Sequence, residues 1–340
     1  MKKMLVVVVV ALFFFSSCAS RNLEFLDENL SITAITQEND AHLLIAEDGN
    51  CYIRNEWISE EKPYGLKNAK DYRKFISKTF PFSKDLNEFV MLYDGGNAKE
   101  ARLSYNGGVI ITNESDLLLF CNDNTNYSVP TKFASEIIDG KLVDDRVFLI
   151  QSDGFFGYRS IENKDTFIPI LSDVADFKQT ENIFIIRTNK NEIIISDDSF
   201  SADQLDKRIE DVVSYSLDCV DCTVDHDIIM TYVKSDGSCF YRRGGRDELS
   251  EFQCSELYQK ISDTALEASV YRNGVVFIDH SYNACVYGKE FTGETLFEGK
   301  IIANNVKSVS GDRGSIFVLL NDGTYIYYGS LINGEYYDFN

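Results

Sequence analysis

Residues 316–328, IFVLLNDGTYIYY, place two short runs of β-branched and aromatic residues on either side of Asn321-Asp322-Gly323. That is the pattern of a strand, a tight turn and a second strand: the runs suit a pleated surface, and Gly323 stands where positive φ costs least. The unit recurs along the chain. Its plainest copies are residues 43–53 around Asp48-Gly49, 147–158 around Asp153-Gly154, and 228–241 around Asp236-Gly237. Residues 109–120, 183–195 and 275–287 repeat the hairpin without the glycine, across 113–116, 188–191 and 280–283, where Asn and Asp accept the same backbone less readily.

The turns begin near residues 48, 114, 153, 189, 236, 281 and 322, and most spacings are about 35 to 50 residues, a period of propellers and solenoids. Residues 306–310, 212–216 and 174–177 each supply a further strand leading into the next hairpin, which makes three or four strands per unit. Radial antiparallel sheets dispose of their edges without long hydrophobic runs, as strands this brief require. The expectation is an all-β fold, a seven-bladed β-propeller spanning residues 32–340 as one domain. One gap is too wide. Residues 57–103 carry apolar positions at helical spacing, among them Tyr72, Phe75, Ile76, Leu86, Phe89 and Val90, and predict a partly helical insertion that packs on a blade.

The longer stretch 304–329, NNVKSVSGDRGSIFVLLNDGTYIYYG, resembles one repeat of the regulator of chromosome condensation type of β-propeller. The resemblance rests on Val306, Val309 and Gly311, the apolar run 316–320, the Asp322-Gly323 turn and the ending Tyr328-Gly329. Tyr287-Gly288 and Phe156-Gly157 repeat that ending. The histidine that commonly precedes the hairpin in that family is missing, and nothing matches residues of its exchange factors. The resemblance therefore implies the fold and no activity.

At the N-terminus, Lys2 and Lys3 precede an apolar run from Met4 to Phe15, and Phe15-Ser16-Ser17-Cys18 follows. A membrane span needs about 20 apolar residues, more than this run has, so it suits a signal peptide better than an anchor helix. The ending resembles the lipobox of bacterial lipoproteins. That resemblance implies that residues 1–17 are removed, that Cys18 is acylated and becomes the new N-terminus, and that residues 18–31 are a spacer from the membrane. Ala19 and Ser20, with no aspartate after the cysteine, favour the outer membrane or cell surface by the same resemblance.

The formal net charge is −21. Such a field repels nucleic acid and other polyanions. With 44% hydrophobic and 13% aromatic residues the chain buries a large core rather than acting as a disordered tether.

Chemistry-bearing patterns are sparse. Cys219-Val220-Asp221-Cys222-Thr223-Val224-Asp225-His226 supplies two thiols and an imidazole at zinc-ligand spacing. It lacks a fourth ligand unless Cys239 provides one, and a disulfide or buried thiols, with Cys239 and Cys254 as further partners, is the simpler expectation; no metal and no cofactor are assigned. Cys51, Cys121 and Cys285 fall in strands, as small apolar side chains. His42 and His280 stand in no catalytic frame, and the pairs Asp144-Asp145, Asp197-Asp198 and Asp225 with Asp227 lack the spacing of a calcium loop. The aromatic end, Tyr336-Tyr337-Asp338-Phe339, is expected to close the ring by adding a strand to the first blade. No catalytic residue is assigned. The functional expectation is a lipid-anchored envelope protein whose propeller binds a protein partner. A glycan- or small-ligand-binding propeller would instead gather aromatics, with Trp57 a candidate among them, at one channel mouth, and an enzyme would bring carboxylates or histidines together in the channel.

Overall fold

The computed structural model describes residues 32–38, 41–55, 90–104, 107–121, 128–180, 182–221, 227–245, 248–291, 295–311, 315–322, 325–330 and 336–337. They form seven antiparallel sheets, six of four strands and one of three, each a meander of consecutive strands. This is the seven-bladed β-propeller. The first strands of the blades, in order, are Ile32–Glu38, Ala98–Ser104, Ile137–Val143, Val174–Thr180, Val212–Asp221, Ala265–Tyr271 and Val306–Gly311. They line the central channel, and the blades are numbered 1 to 7 accordingly.

The second strand of each blade explains why so short a sheet is stable. Gly107–Thr112 is buried at every position, and Arg146–Gln151 and Ile183–Thr188 at most of theirs. Both faces of these strands meet a neighbouring sheet, so the sequence reads as an unbroken apolar run rather than as an alternation. Between blades 3 and 4, for example, Phe148, Phe156, Phe177 and Phe184 form one cluster, with the rings of Phe148 and Phe184 4.6 Å apart. Equivalent clusters join the other successive blades from 1 to 7.

The hairpin turns do more than reverse the chain. Gly49, Ser115, Gly154, Asn191, Gly237 and Tyr282 occupy the same turn position, all at φ between 59° and 87°. Each offers its carbonyl oxygen to the first N–H of the next blade: Ala98, Ile137, Val174, Val212, Ala265 and Val306 donate to these six oxygens at 2.7 to 3.0 Å. The turn is thus a blade-to-blade seam. Asx-type bonds hold it in shape, as from the N–H of Asn50 to Asp48, of Phe155 to Asp153 and of Ser238 to Asp236.

Three expectations need correction or placement. Tyr336–Tyr337 pairs with Tyr325–Ser330 and so completes blade 7, not blade 1, whose four strands all come from residues 32–93. The segment 57–103 is not all insertion: Val90–Tyr93 is the outer strand of blade 1 and Ala98–Ser104 the inner strand of blade 2. Helical spacing at Val90 misleads because the run Val90-Met91-Leu92-Tyr93 pairs with Cys51, Tyr52 and Ile53, and that pairing outweighs local periodicity. Residues 56–89, with the expected helices, and 1–31, with the signal peptide and spacer, lie outside the described residues.

Blade 4 has three strands. Its open edge is covered by a bridge between Ile193 and Ile209 and by two short helices, α1 (Ala202–Leu205) and α2 (Leu249–Phe252). Gln204 bonds Ser196 and Asp197, and Gln253 after α2 donates its Nε2 to the Ile195 carbonyl at 2.7 Å. Among the described residues no helix is long and apolar enough to cross a membrane.

Candidate functional site: the channel mouth

Each inner strand carries one extra residue near its start, at the same place in all seven blades. The extra residues are Thr33, Lys99, Ile138, Ala175, Val213, Leu266 and Lys307. A bulge of this kind bends the strand and turns its side chain outward. Ile138, Val213 and Leu266 are 41%, 38% and 40% exposed, so with Ala175 they make an apolar collar along blades 3 to 6. The collar lies on the face that carries the hairpin turns and the links between blades. That face is acidic: Asp48, Glu114, Asp153, Asp236 and Asp322 are exposed at the turns, and Asp94, Glu136, Asp173, Asp211 and Asp263 at the links. Phe155 and Tyr282, also exposed there, belong to blades 3 and 6 and do not form an aromatic cluster.

Below the collar the strands alternate, and every second residue faces the channel. In blades 2 to 7 the first inward position holds Glu100, Asp139, Asp176, Ser214, Glu267 and Ser308. Two residues further along come Arg102, Lys141, Lys178, Ser216, Ser269 and Ser310. Of these, Glu100, Asp139, Asp176, Arg102 and Lys178 converge on a cavity of about 460 Å³ between blades 2 and 5, whose wall also includes Lys99, Arg187, Phe177 and Tyr215.

The charges are interlocked. Arg102 pairs with Asp139 at 2.8 Å and with Glu100 at 3.2 Å, and its Nη1 donates to the Phe177 carbonyl at 2.9 Å. Arg187 grips Asp176, with Nε at 2.8 Å, and Tyr215 donates its hydroxyl to the other oxygen of the same carboxylate. Lys178 donates to the Tyr215 carbonyl at 2.9 Å. Burial pushes the Asp139 carboxyl up to about 7, even against the nearby Arg102 guanidinium and the Gly140 N–H, while Glu100 and Asp176 push it the same way. Burial and Asp176 together hold the Tyr215 phenol well above its ordinary range.

Sequence-adjacent acidic pairs do not build this site. Asp144 and Asp145 form an exposed hairpin turn, Asp198 pairs with Arg146, and Asp227 pairs with Arg243. Residues neighbouring in a strand point to opposite faces, so the carboxylates that meet are those of equivalent register in successive blades. The one signal in the sequence that finds them is alignment of the units on their turns, which puts Glu100, Asp139, Asp176 and Glu267 in one column.

Among the described residues Cys51, Cys219, Cys239 and Cys285 are buried packing residues. Cys239 is buried with its thiol pushed up to about 12, Cys51 likewise, and Cys285 up to about 11, all chiefly by burial. Cys239 and Cys254 are free thiols, so neither enters the disulfide offered by the sequence, and at these two positions the alternative of unbridged thiols holds. Buried apolar surroundings keep such thiols protonated and unreactive. Cys219 is buried in the inner strand of blade 5. Cys222 and His226 lie outside the described residues, as do Cys18 and Trp57, and no group of three His, Cys, Asp or Glu that could hold a metal occurs among the described ones. His280 is exposed on a turn and is not part of the cavity wall, and His42 lies in the second strand of blade 1.

No protein-family model and no curated relative matches the chain. Solved structures do. Prp20p from Saccharomyces cerevisiae is similar over 83% of this chain and 80% of its own, at 12% identity and a TM-score of 0.54. Kluyveromyces lactis Hsv2 is similar over 91% of this chain and 97% of its own, at 10% identity and a TM-score of 0.52. At these identities the likeness is one of fold, and it agrees with the propeller repeat read from the sequence.

Proposed function

We propose that this chain is a bacterial envelope lipoprotein, anchored through acylated Cys18 at the outer membrane or cell surface, whose propeller is a scaffold for a protein partner. The observation that supports the scaffold reading is the turn face: an apolar collar of Ile138, Ala175, Val213 and Leu266 set within exposed carboxylates. Apolar side chains gathered at the centre of a polar, charged surface are the pattern of a protein interface with a dry core and a wet rim. The charge selects a partner segment rich in Lys or Arg, and it works against nucleic acid. The same architecture carries partners elsewhere, since Prp20p is described by its binding to Gsp1p and histones. The anchor is supported by the sequence from Lys2 to Cys18.

The test is photo-crosslinking in the native host, with the reactive side chain at Val213 or Leu266 and, as controls, at Ile168 or Leu296 on outer strands. A protein captured reproducibly from the collar and not from the controls is expected, with loss of capture in Cys18→Ala. Identical capture from both sets of positions, or none at full expression, overturns the scaffold reading.

A further inference from the structure

The cavity under the collar differs in charge from the rest of the molecule. In a chain of net charge −21, its wall holds four cationic side chains, Lys99, Arg102, Lys178 and Arg187, against three carboxylates. All three carboxylates are engaged: Glu100 and Asp139 by Arg102, Asp176 by Arg187 and Tyr215. Both guanidinium groups are engaged too, on those carboxylates and on the carbonyls of Phe177 and Val213. What is left to meet a ligand is two ammonium groups.

Lys178 donates one hydrogen bond, to the Tyr215 carbonyl, and stands 5.2 Å from the centre of the Tyr215 ring. No carboxylate lies within ion-pair distance of it among the described residues. Lys99 stands exposed at the rim with no ion pair among the described residues either. Protein surrounds Lys178 on every side, yet the channel leaves it open to solvent. Burial, then Arg102 and Arg187, disfavour its charged form, while Asp176 and Glu267 favour it. An ammonium so placed has no carboxylate in ion-pair contact among the described residues and is reachable by an anion.

We propose that this cavity binds a small organic carboxylate, its anionic group against Lys178 and Lys99 and its carbon skeleton toward Ile138, Ala175 and Val213. Its volume of about 460 Å³ fits a metabolite-sized ligand. An organic carboxylate is favoured over inorganic phosphate because Ile138, Ala175 and Val213 give a carbon skeleton an apolar surface that phosphate cannot use. This inference is independent of any protein partner on the face above.

The experiment is calorimetric titration of the purified full chain with acetate, succinate, citrate and glucuronate, with inorganic phosphate alongside. One-to-one binding of at least one carboxylate with Kd below about 1 mM is expected, weakened about tenfold or more in Lys178→Met. If Lys178→Met does not fold, Lys99→Met at the exposed rim takes its place and must weaken the same ligand at least about threefold. The proposal fails if no carboxylate binds, if phosphate binds more tightly than every carboxylate, or if binding is unchanged in the lysine variants.

Discussion

The channel wall has two halves that do one job with opposite chemistry. In blades 2 to 4, side chains donate to carbonyl oxygens of a later blade: Ser104 to Leu142, Arg102 to Phe177, Lys141 to Gln179 and Lys178 to Tyr215. In blades 5 and 6, side chains accept from the next blade's N–H groups. Ser214 receives Ala268 at 3.4 Å, Ser216 receives Val270 at 3.2 Å, Ser269 receives Gly311 at 2.9 Å, and Glu267 receives Val309. Either way a polar group facing the channel satisfies a backbone group that the sheet leaves over. What differs is the residue type and the debt of buried charge, so a conserved structural job need leave no common residue behind.

The largest effect expected from this contrast is at Arg102. Arg102→Met leaves the carboxylate of Asp139, itself only 4% exposed, without its guanidinium, and should destabilise the fold by roughly 3–5 kcal/mol at pH 8 in urea unfolding. No single serine change in blades 5 and 6 should approach that, and equal losses would dissolve the distinction between the halves.

The charged half should also respond to pH. Asp139 keeps its proton in the folded chain up to about pH 7, whereas the unfolded chain releases it near about pH 4. The folded state therefore binds the extra proton across that window, and stability falls as pH rises through it. Glu267, raised by burial as well, adds the same sign. Asp139→Asn should flatten the slope of melting temperature against pH between 4 and 7, and an unchanged slope would remove Asp139 as its source.

The seam at the turns serves both halves, and only local space should grade it. A Cβ on Gly237, in blade 5, would come within 2.9 Å of the Asp263 carbonyl, while one on Gly154, in blade 3, meets nothing nearer than 3.8 Å. Gly154→Ala should cost about 1–2 kcal/mol for its positive φ alone, and Gly237→Ala more. The reverse order would place the strain outside the turn. Smallest of all, Ser269→Ala removes one acceptor from the Gly311 N–H and should cost about 1 kcal/mol by denaturant midpoint.

The hairpins were legible because turn chemistry is local. Asp48-Gly49, Asp153-Gly154 and Asp236-Gly237 announce positive φ within a few residues of the strands that they join. Ser115, Asn191 and Tyr282 take the same conformation without glycine, held there by the hydrogen bond from the next blade, which a single unit of sequence does not contain. The channel was hidden for a related reason. Arg102 and Asp139 lie 37 residues apart and Tyr215 and Asp176 lie 39 apart, so only the ring geometry makes them neighbours. The collar was hidden as well, since Ile138, Val213 and Leu266 follow a buried residue and read as continuing strand until the bulge turns them out.

Since each sheet is drawn from consecutive strands, assembly has an order in time. A blade needs no residue from the far end of the chain, loop closures stay short, and sheets can be completed in the sequence of synthesis. Blade 4 is the exception. Its bare edge at Ile195 is sealed by Gln253, which arrives only after most of blade 5 has been made. For that interval the outer strand of consecutive isoleucines, Ile193 to Ile195, is held on its free side only by the Ile209 bridge and by α1, and its Ile195 end is the kind of edge on which nascent chains aggregate. The place to look for a chaperone's grip on this protein is therefore its middle, between the third blade and the fifth.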